Sequence, residues 1–553
     1  MFSKRAKPCD DATSPSKRFR CNAGDLFLSN DISGERAASL FRDAALAGTQ
    51  HVGDLAKIKG GNVHRDVLRK MRSKRWPKLY KAKVRVWNRK LQATEVVEVP
   101  VLLPHEVLHE IARKSDVETM CSRDNLTDET LEHIGKARAS LGDGPPICCL
   151  GLWMDGTPCN WDRSESVETI AMSIPNLTGP NAAMRIPFAV VMHKHCISNE
   201  TLDDLLEVFT WSLDCLALGS FPAKRHDGAD FGSGEQQRAK KAGAPLNIRA
   251  ILTEVRADWK CLKDVFRLPG WQENDGCCWK CTADHQTRRD CSRDAVWRTA
   301  RLTHFDNLLR WKRKNIVPNA IFSAPFFCVC LFVLDWLHIM DLGVACDFLG
   351  NIFKMLLAHQ HGTNQKTRVE NLYKQMVEYY ERHSVDNRLD NLTLSMLGKD
   401  RKPPKLRAKA AEARGLISFA REQAELHLLD ANALECAAKQ ASIHLEACYF
   451  CLHAQTFKSE VMAEHSRKTC LLLAALEETA EQPNWRLKPK AHLMQEMCEM
   501  MKVNPSKHWT YRDEDFGGSM AAMARVRGGK GSAKVVGQNV LLKFQAKCKL
   551  PVF

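Results

Sequence analysis

No stretch of this 553-residue chain is both long and apolar enough to cross a bilayer. The longest apolar run, "IFSAPFFCVCLFVL" from Ile321 to Leu334, is too short and stops at Asp335, so no membrane partner is expected. The opening "MFSKRAKPCDD" lacks an apolar core, which argues against a secretory leader. The 22 cysteines form no disulfide-dense framework, and the expectation is an intracellular protein whose thiols are reduced and mostly buried. No repeat of fixed period is present, which sets aside repeat architectures.

What is present is an ordinary globular composition, 44% hydrophobic and 26% charged. The length calls for two or three domains, or one domain with a large insertion. Lys plus Arg exceed Asp plus Glu by 81 to 65, a formal charge of +16 that favours a polyanionic partner. Residues 1–24 read as a disordered basic tail. Its two clusters, Lys4-Arg5 and Lys17–Arg20, are spaced like a bipartite nuclear import signal, with a plain solvated tail as the alternative. A nuclear location is the expectation.

Residues 25–140 form a small α+β N-terminal region around two alternating segments, "YKAKVRVWN" and "EVVEVPVLL". Basic and aromatic residues interleave at Arg69, Lys70, Arg72, Lys74, Arg75, Trp76, Lys78, Tyr80, Lys81, Lys83, Arg85 and Trp87. That mixture suits phosphate neutralisation with base stacking, and these residues are candidates for nucleic-acid binding. The competing reading is a basic surface whose aromatics face the core.

From residue 145 the pattern is strand, strand, strand, helix, strand, helix: "ICCLGLWMD", "ETIAMSIPNL", "IPFAVVMHK", a helix from "NETLDDLLEVFTWSLDCLALG" capped by Asn199, then "NIRAILTEVR" and a helix starting near Asp258. "FFCVCLFVLDWLH" reads as one more buried strand ending on an acid. This is the order of an RNase H-like fold, an α/β architecture with a mixed sheet. Asp155 ends the first strand and Asp258 follows the fourth; if those strands are neighbours, two carboxylates meet, an arrangement that is costly without a cation and useful with one. A third acid is expected from "RDEDF", where Asp513, Glu514 and Asp515 are consecutive and helical geometry lets only one reach the site. Glu514 is the choice.

The core thus reads as residues 145–340 and 485–530, interrupted by an all-helical insertion over 341–484 and followed by a basic C-terminal tail, 531–553. Taken together, "MDGTP", "VRADWKCL" with "GCCWKC", "LDWLHIMDLGV" and "KPKAHLMQEM" leading to "WTYRDEDF" resemble the catalytic region of eukaryotic DDE transposases, most closely the CACTA-type group, over roughly 145–530. The resemblance implies metal-dependent DNA strand cleavage and strand transfer. Asp155, Asp258 and Glu514 would hold two Mg²⁺ (or Mn²⁺) ions, with Asp335 and His338 behind them orienting the site. It also implies DNA ends and target DNA as partners, and a homo-oligomer built in part through the insertion.

The segment 277–291 carries Cys278-x-x-Cys281, His285 and Cys291, residues able to close a compact Cys₃His zinc site. Cys277 could replace Cys278, and a reduced buried pair is the alternative. His492 reads as a surface or capping residue. Two other functions compete with an active transposase: a domesticated DNA-binding protein on the same fold that no longer cuts, and a zinc-containing nucleic-acid-binding adaptor, which leaves Asp155 and Asp258 unexplained.

Overall fold

Four apolar segments pair into one mixed sheet. The computed structural model describes residues 14–72, 75–124, 126–160, 162–177, 179–398, 402–525 and 531–553. A two-stranded hairpin, β1 (Tyr80–Asn88) and β2 (Ala93–Val101), precedes the sheet strands β3 (Ile147–Pro158), β4 (Ser166–Ser173), β5 (Arg185–Met192) and β6 (Arg249–Arg256). Their spatial order is β5-β4-β3-β6. β4 runs antiparallel to both β3 and β5, whereas β6 lies parallel to β3. The chain is therefore a mixed α/β protein. Every residue of β5 and β6 is buried; β5 after Arg185 reads as a near-continuous apolar run, whereas β6 carries Arg249, Glu254 and Arg256 inside the fold.

This topology sends the C-terminal ends of β3, β5 and β6, and the start of β4, to one edge. Helices Tyr511–Ala524 and Ala533–Lys547 pack on the sheet. The first is so close that a Cβ on Gly517 would stand 2.7 Å from Thr157 Oγ1 and 2.8 Å from the Trp153 ring. Phe516 meets the same indole edge-on. The helix Thr201–Leu218 packs against β6 and the hairpin. Its cap is Glu200, not the expected Asn199, which instead holds a φ of 60°.

Helices make up most of the described residues between 346 and 479, among them Gln365–Arg382, Ala433–Phe450 and Ser459–Thr479, the last two packed side by side, while between Arg382 and Ala410 the described residues hold only the 3₁₀ turn Leu394–Met396. At the other end of the chain, helices from Pro15 to Met71 keep a core of their own around Phe27, Phe41 and Leu55, closed by Leu542 and Ala546 from the last helix. The hairpin instead joins the main core.

Four expectations are corrected. Residues 15–24 belong to the helix Pro15–Leu28, in which Arg20 pairs with Asp54 at 2.5 Å; Lys4 and Arg5 lie outside the described residues. Residues 533–547 are likewise a helix, held by apolar burial of Val536, Val540, Leu541 and Phe544. "FFCVCLFVLDWLH" makes no strand: it forms a short 3₁₀ turn and a single parallel bridge from Phe332 to Val255, because the chain then winds at once into a π-helical segment, Leu337–Ala345. Finally, Cys328 and Cys330 are joined as a disulfide, since a residue spacing of two in this turn brings their sulfurs together.

The last helix is an integral wall of the sheet, and at Gly537 a Cβ would stand 2.6 Å from the Val190 carbonyl oxygen. Backbone cannot retreat as a side chain can, so Gly537→Ala is expected to destabilise by about 1–3 kcal/mol, read as a lower urea midpoint at unchanged slope.

Candidate active site

Asp155 stands near the end of β3, and Asp258 caps the helix Trp259–Asp264 just beyond β6, its Oδ1 accepting the Cys261 N–H at 2.6 Å. Glu514 sits in the first turn of the helix Tyr511–Ala524. The three acids act on one another. Burial, then the charge of Asp258, pushes Asp155 up to about 6, against the pull of His338. Burial, then Asp155, pushes Glu514 up to about 8, with Asp335 and Asp258 adding to the effect. Glu514 Oε1 is buried without a hydrogen-bond partner, 3.8 Å from His338 Nε2. The three do not form a tight cage; among the described residues, the one group of ligand atoms lying within 4.8 Å of one another is elsewhere.

Asp335, two residues before the π-helical segment, and His338, within it, adjoin these acids; neither stands at a strand end. Asp335 is 3% exposed and accepts from its own turn, from His338 Nδ1 at 2.6 Å, and from the N–H and hydroxyl of Thr510 at 2.9 and 2.8 Å. Burial alone would depress the imidazole, but the hydrogen bond and charge of Asp335, with Glu514 and Asp258, raise it to about 9. His338 is therefore an imidazolium at neutral pH, and it partly offsets the carboxylates. The same bonds to Thr510 fix the start of the helix that carries Glu514.

The three consecutive acids separate as helical geometry requires. Asp513 is fully buried between Arg185 at 2.6 Å and Arg256 at 3.0 Å, and Asp515 is exposed, which leaves Glu514 to face Asp155. Arg256 also grips Glu254, whose second oxygen lies 3.2 Å from His508. Burial would raise Glu254, yet Arg256 and His508 hold it down at about 2. Sequence reasoning missed this network, although charged residues inside the apolar runs "RIPFAVVM" and "RAILTEVR" were its visible signal. It also missed Glu168, which lies opposite Gly156 and is bonded to His193 at 2.7 Å; a Cβ at 156 would come within 2.9 Å of that carboxylate.

The basic aromatic segment behaves differently from the stacking platform expected. Trp76 is buried and donates to the Cys548 carbonyl at 2.8 Å; Tyr80 is fully buried, bonded to His226 at 2.6 Å beneath the guanidiniums of Arg225 and Arg238. Neither ring is free to stack on a base, because strand alternation turns Tyr80 inward and the outward positions go to Lys81, Lys83 and Arg85. Those cations pair with Glu98, Asp227 and Asp204 at 3.1, 3.5 and 2.5 Å. Arg69 pairs with Asp66, Trp87 is half-buried, Arg72 is half-buried, Lys70 is exposed, and Lys74 lies outside the described residues. Arg75 and Lys78 open onto a cleft of about 690 Å³ shared with Lys114, Lys240 and Lys241.

Cys278 and Cys281 do meet metal-ligating groups, but not those expected. Their partners are His492 and Glu496, more than 200 residues downstream and all buried. Cys281 Sγ is 3.4 Å from His492 Nε2, which is 3.7 Å from Glu496 Oε1, itself 4.0 Å from Cys278 Sγ. The Lys280 N–H donates to Cys278 Sγ at 3.4 Å, and Arg301 clasps the Glu496 carboxylate at 2.9 and 2.7 Å. His285 is exposed, and Cys291 turns to Gln495 at 3.5 Å; Cys277 points at the Ala283 carbonyl. The i, i+4 spacing of His492 and Glu496, which puts both on one helical face, was the signal available in the sequence.

No protein-family model and no curated protein matches this chain.

The electrostatics of Glu514 fix a sign. Its carboxyl is held near 8 in the fold against about 4.3 in an unfolded chain, so folding takes up a proton between those values and the contribution to stability falls as pH rises through that window. In EDTA, Glu514→Gln is expected to melt above the wild type at about pH 8.5 and to converge with it below about pH 4.5. A variant no more stable than the wild type at alkaline pH would show that the carboxylates do not repel one another in the fold.

Proposed function

We propose that this protein is a metal-dependent DNA strand-cleaving and strand-transferring enzyme of the DDE transposase type, on an RNase H-like core. The sheet supports that reading: three strands antiparallel in sequence order, a fourth parallel to the first, and an acid near the C-terminal end of each of the two parallel neighbours, Asp155 within β3 and Asp258 just beyond β6. So does the chain order, in which helices separate Asp335 and His338 from the third acid. The observation that carries it is the buried Oε1 of Glu514, without a hydrogen-bond partner and 3.8 Å from His338, on a carboxyl destabilised by burial first and then by the charge of Asp155. A buried carboxylate oxygen without a hydrogen bond, close to two further acids, is a position at which a bound cation would relieve both the burial and the repulsion.

Asp155, Asp258 and Glu514 would hold Mg²⁺ or Mn²⁺, and bound ions would supply activation of a water and charge stabilisation at the cleaved phosphodiester. The chain's own residues do the positioning. Asp335 orients the His338 imidazolium, which restrains Glu514; the Arg185–Asp513–Arg256 bonds lock the register of the acid-bearing helix. In the 690 Å³ cleft Lys78, Lys114 and Lys240 stand beside Arg113 and Lys241, which pair with Glu110, and Arg238, which pairs with Glu106; the basic surplus that remains would suit the DNA backbone. Supercoiled plasmid is expected to be nicked in Mg²⁺ or Mn²⁺ by the wild type, not in EDTA, and Asp155→Asn should lose at least about a hundredfold in rate while still binding DNA. Equal binding by both proteins with no cutting by either would favour a binding protein on this fold.

Cys278, Cys281, His492 and Glu496 fit a structural zinc ion: two thiols in a knuckle stabilised by the Lys280 N–H, one imidazole nitrogen and one carboxylate oxygen, all dry. Zinc would tie the segment after Asp258 to the helix Lys490–Gln495. Purified protein is expected to contain about one zinc per chain by elemental analysis, and a strong chelator or Cys281→Ser should lower its melting temperature. Metal-free protein with a melt indifferent to chelator would leave the cysteines as a reduced buried pair.

A further inference from the structure

Behind the acids lies a second buried carboxylate that the proposed chemistry does not use. Asp341, fully buried in the π-helical segment, accepts from the hydroxyl of Tyr449 on Oδ1 at 2.7 Å and from the hydroxyl of Tyr511 on Oδ2 at 2.6 Å. Tyr449 belongs to the helix Ala433–Phe450 of the helical block, with its ring edge-on to Trp336; Tyr511 is the first residue of the helix that carries Glu514. A second strut runs alongside: Arg414, also from the block, lies over the Trp509 ring at 4.9 Å, and Trp509 meets Tyr511 edge-on. Between these two, Thr510 is held by Asp335, and the Thr510 carbonyl accepts the Glu514 N–H at 2.8 Å. Residues 509–511 are thus gripped at three successive positions, one turn before Glu514.

We propose that Asp341, Tyr449 and Tyr511 form a positioning bridge through which the helical block sets the place of Glu514 relative to Asp155. The inference rests on the acid site proposed above and deepens it. None of the three touches the reacting atoms. Their role is geometric: a carboxylate with both oxygens committed to hydroxyls from two different elements allows little sliding, because shifting either tyrosine leaves a buried oxygen unpaired. Whatever repositions the helix Ala433–Phe450, a bound DNA strand or a second copy of the chain, is then felt at Glu514.

The test uses the full-length protein and two readouts: plasmid nicking in Mn²⁺, resolved into kcat and KM, and Mn²⁺ affinity without DNA by electron paramagnetic resonance. Tyr449→Phe and Tyr511→Phe keep the rings and remove single hydroxyls. Each is expected to lower kcat by roughly ten- to a hundredfold with KM for DNA little changed, and to weaken Mn²⁺ binding. The double variant should lose less than the product of the singles, since both act through one carboxylate. Tyr373→Phe is the control: its hydroxyl bonds the Leu389 and Asp390 carbonyls within the block, away from the acids, so both readouts should match the wild type. If Tyr449→Phe equals wild type in kcat and Mn²⁺ affinity while the wild type nicks, the bridge is overturned and the nuclease reading stands. The bridge is equally overturned if the variant only melts earlier, with Mn²⁺ affinity per folded molecule unchanged. A wild type that binds Mn²⁺ through Asp155 without nicking, and binds it more weakly as Tyr449→Phe, supports the bridge and removes the nuclease reading. A wild type that neither nicks nor binds Mn²⁺ removes both.

Discussion

Three carboxylates brought to one end of a buried sheet repel one another, and the surrounding structure is organised to hold them there. The principal restraint is the Asp335 carboxylate. Its hydrogen bonds reach its own turn, the His338 imidazole and the backbone and hydroxyl of Thr510, so one buried anion fixes both the cation that offsets the acids and the start of the helix that supplies the third. Burial makes this effective: in a low dielectric a fully satisfied carboxylate is a rigid node, and an unsatisfied one is costly. Asp513 is a similar node one turn further on, between two arginines rooted in the sheet.

The Cys/His/Glu cluster connects to the same place. The helix Lys490–Gln495 carries His492 toward the cysteines on one side and Lys490 toward the π-helical segment on the other, where Lys490 Nζ donates to the His338 carbonyl at 2.5 Å. Gly343 makes the approach possible, since a Cβ there would come within 2.5 Å of the lysine side chain. A metal that tightened the cluster would therefore brace the backbone of His338. Together with the Asp341 bridge, this gives the acid site supports from two separate parts of the helical half of the molecule.

Part of this could be read from residue order. β3 to β6 were visible as apolar runs bounded by Gly, Pro and acids, and Asp155 and Asp258 stood out because a carboxylate at the end of a buried strand needs a reason to be there. The angular spacing of helix residues lets only one of Asp513, Glu514 and Asp515 face the site without saying which; the fold turns Asp513 into an arginine pair and Asp515 to solvent, leaving Glu514. The basic aromatic segment was misleading for an equally physical cause: alternation along β1 places Tyr80 in the core and gives each outward cation an acid from another part of the chain, and sequence distance hides those acids.

By itself the sequence determined many of the local quantities, such as the segments that form β3 to β6 and the helical character of much of 346–479, because these follow from periodicity and turn chemistry over a few residues; it did not determine the helices Pro15–Leu28 and Ala533–Lys547 or the turn at Val329–Leu331, which depend on what they pack against. Tertiary structure alone decided the pairings. His492 and Glu496, not His285 and Cys291, meet the Cys278-x-x-Cys281 knuckle; Arg185 and Arg256 claim Asp513; Tyr449 and Tyr511 meet on Asp341. Each joins residues separated by tens to hundreds of positions, and no spacing rule reaches that far. Such contacts are set by which buried polar groups can satisfy one another once the helices have packed.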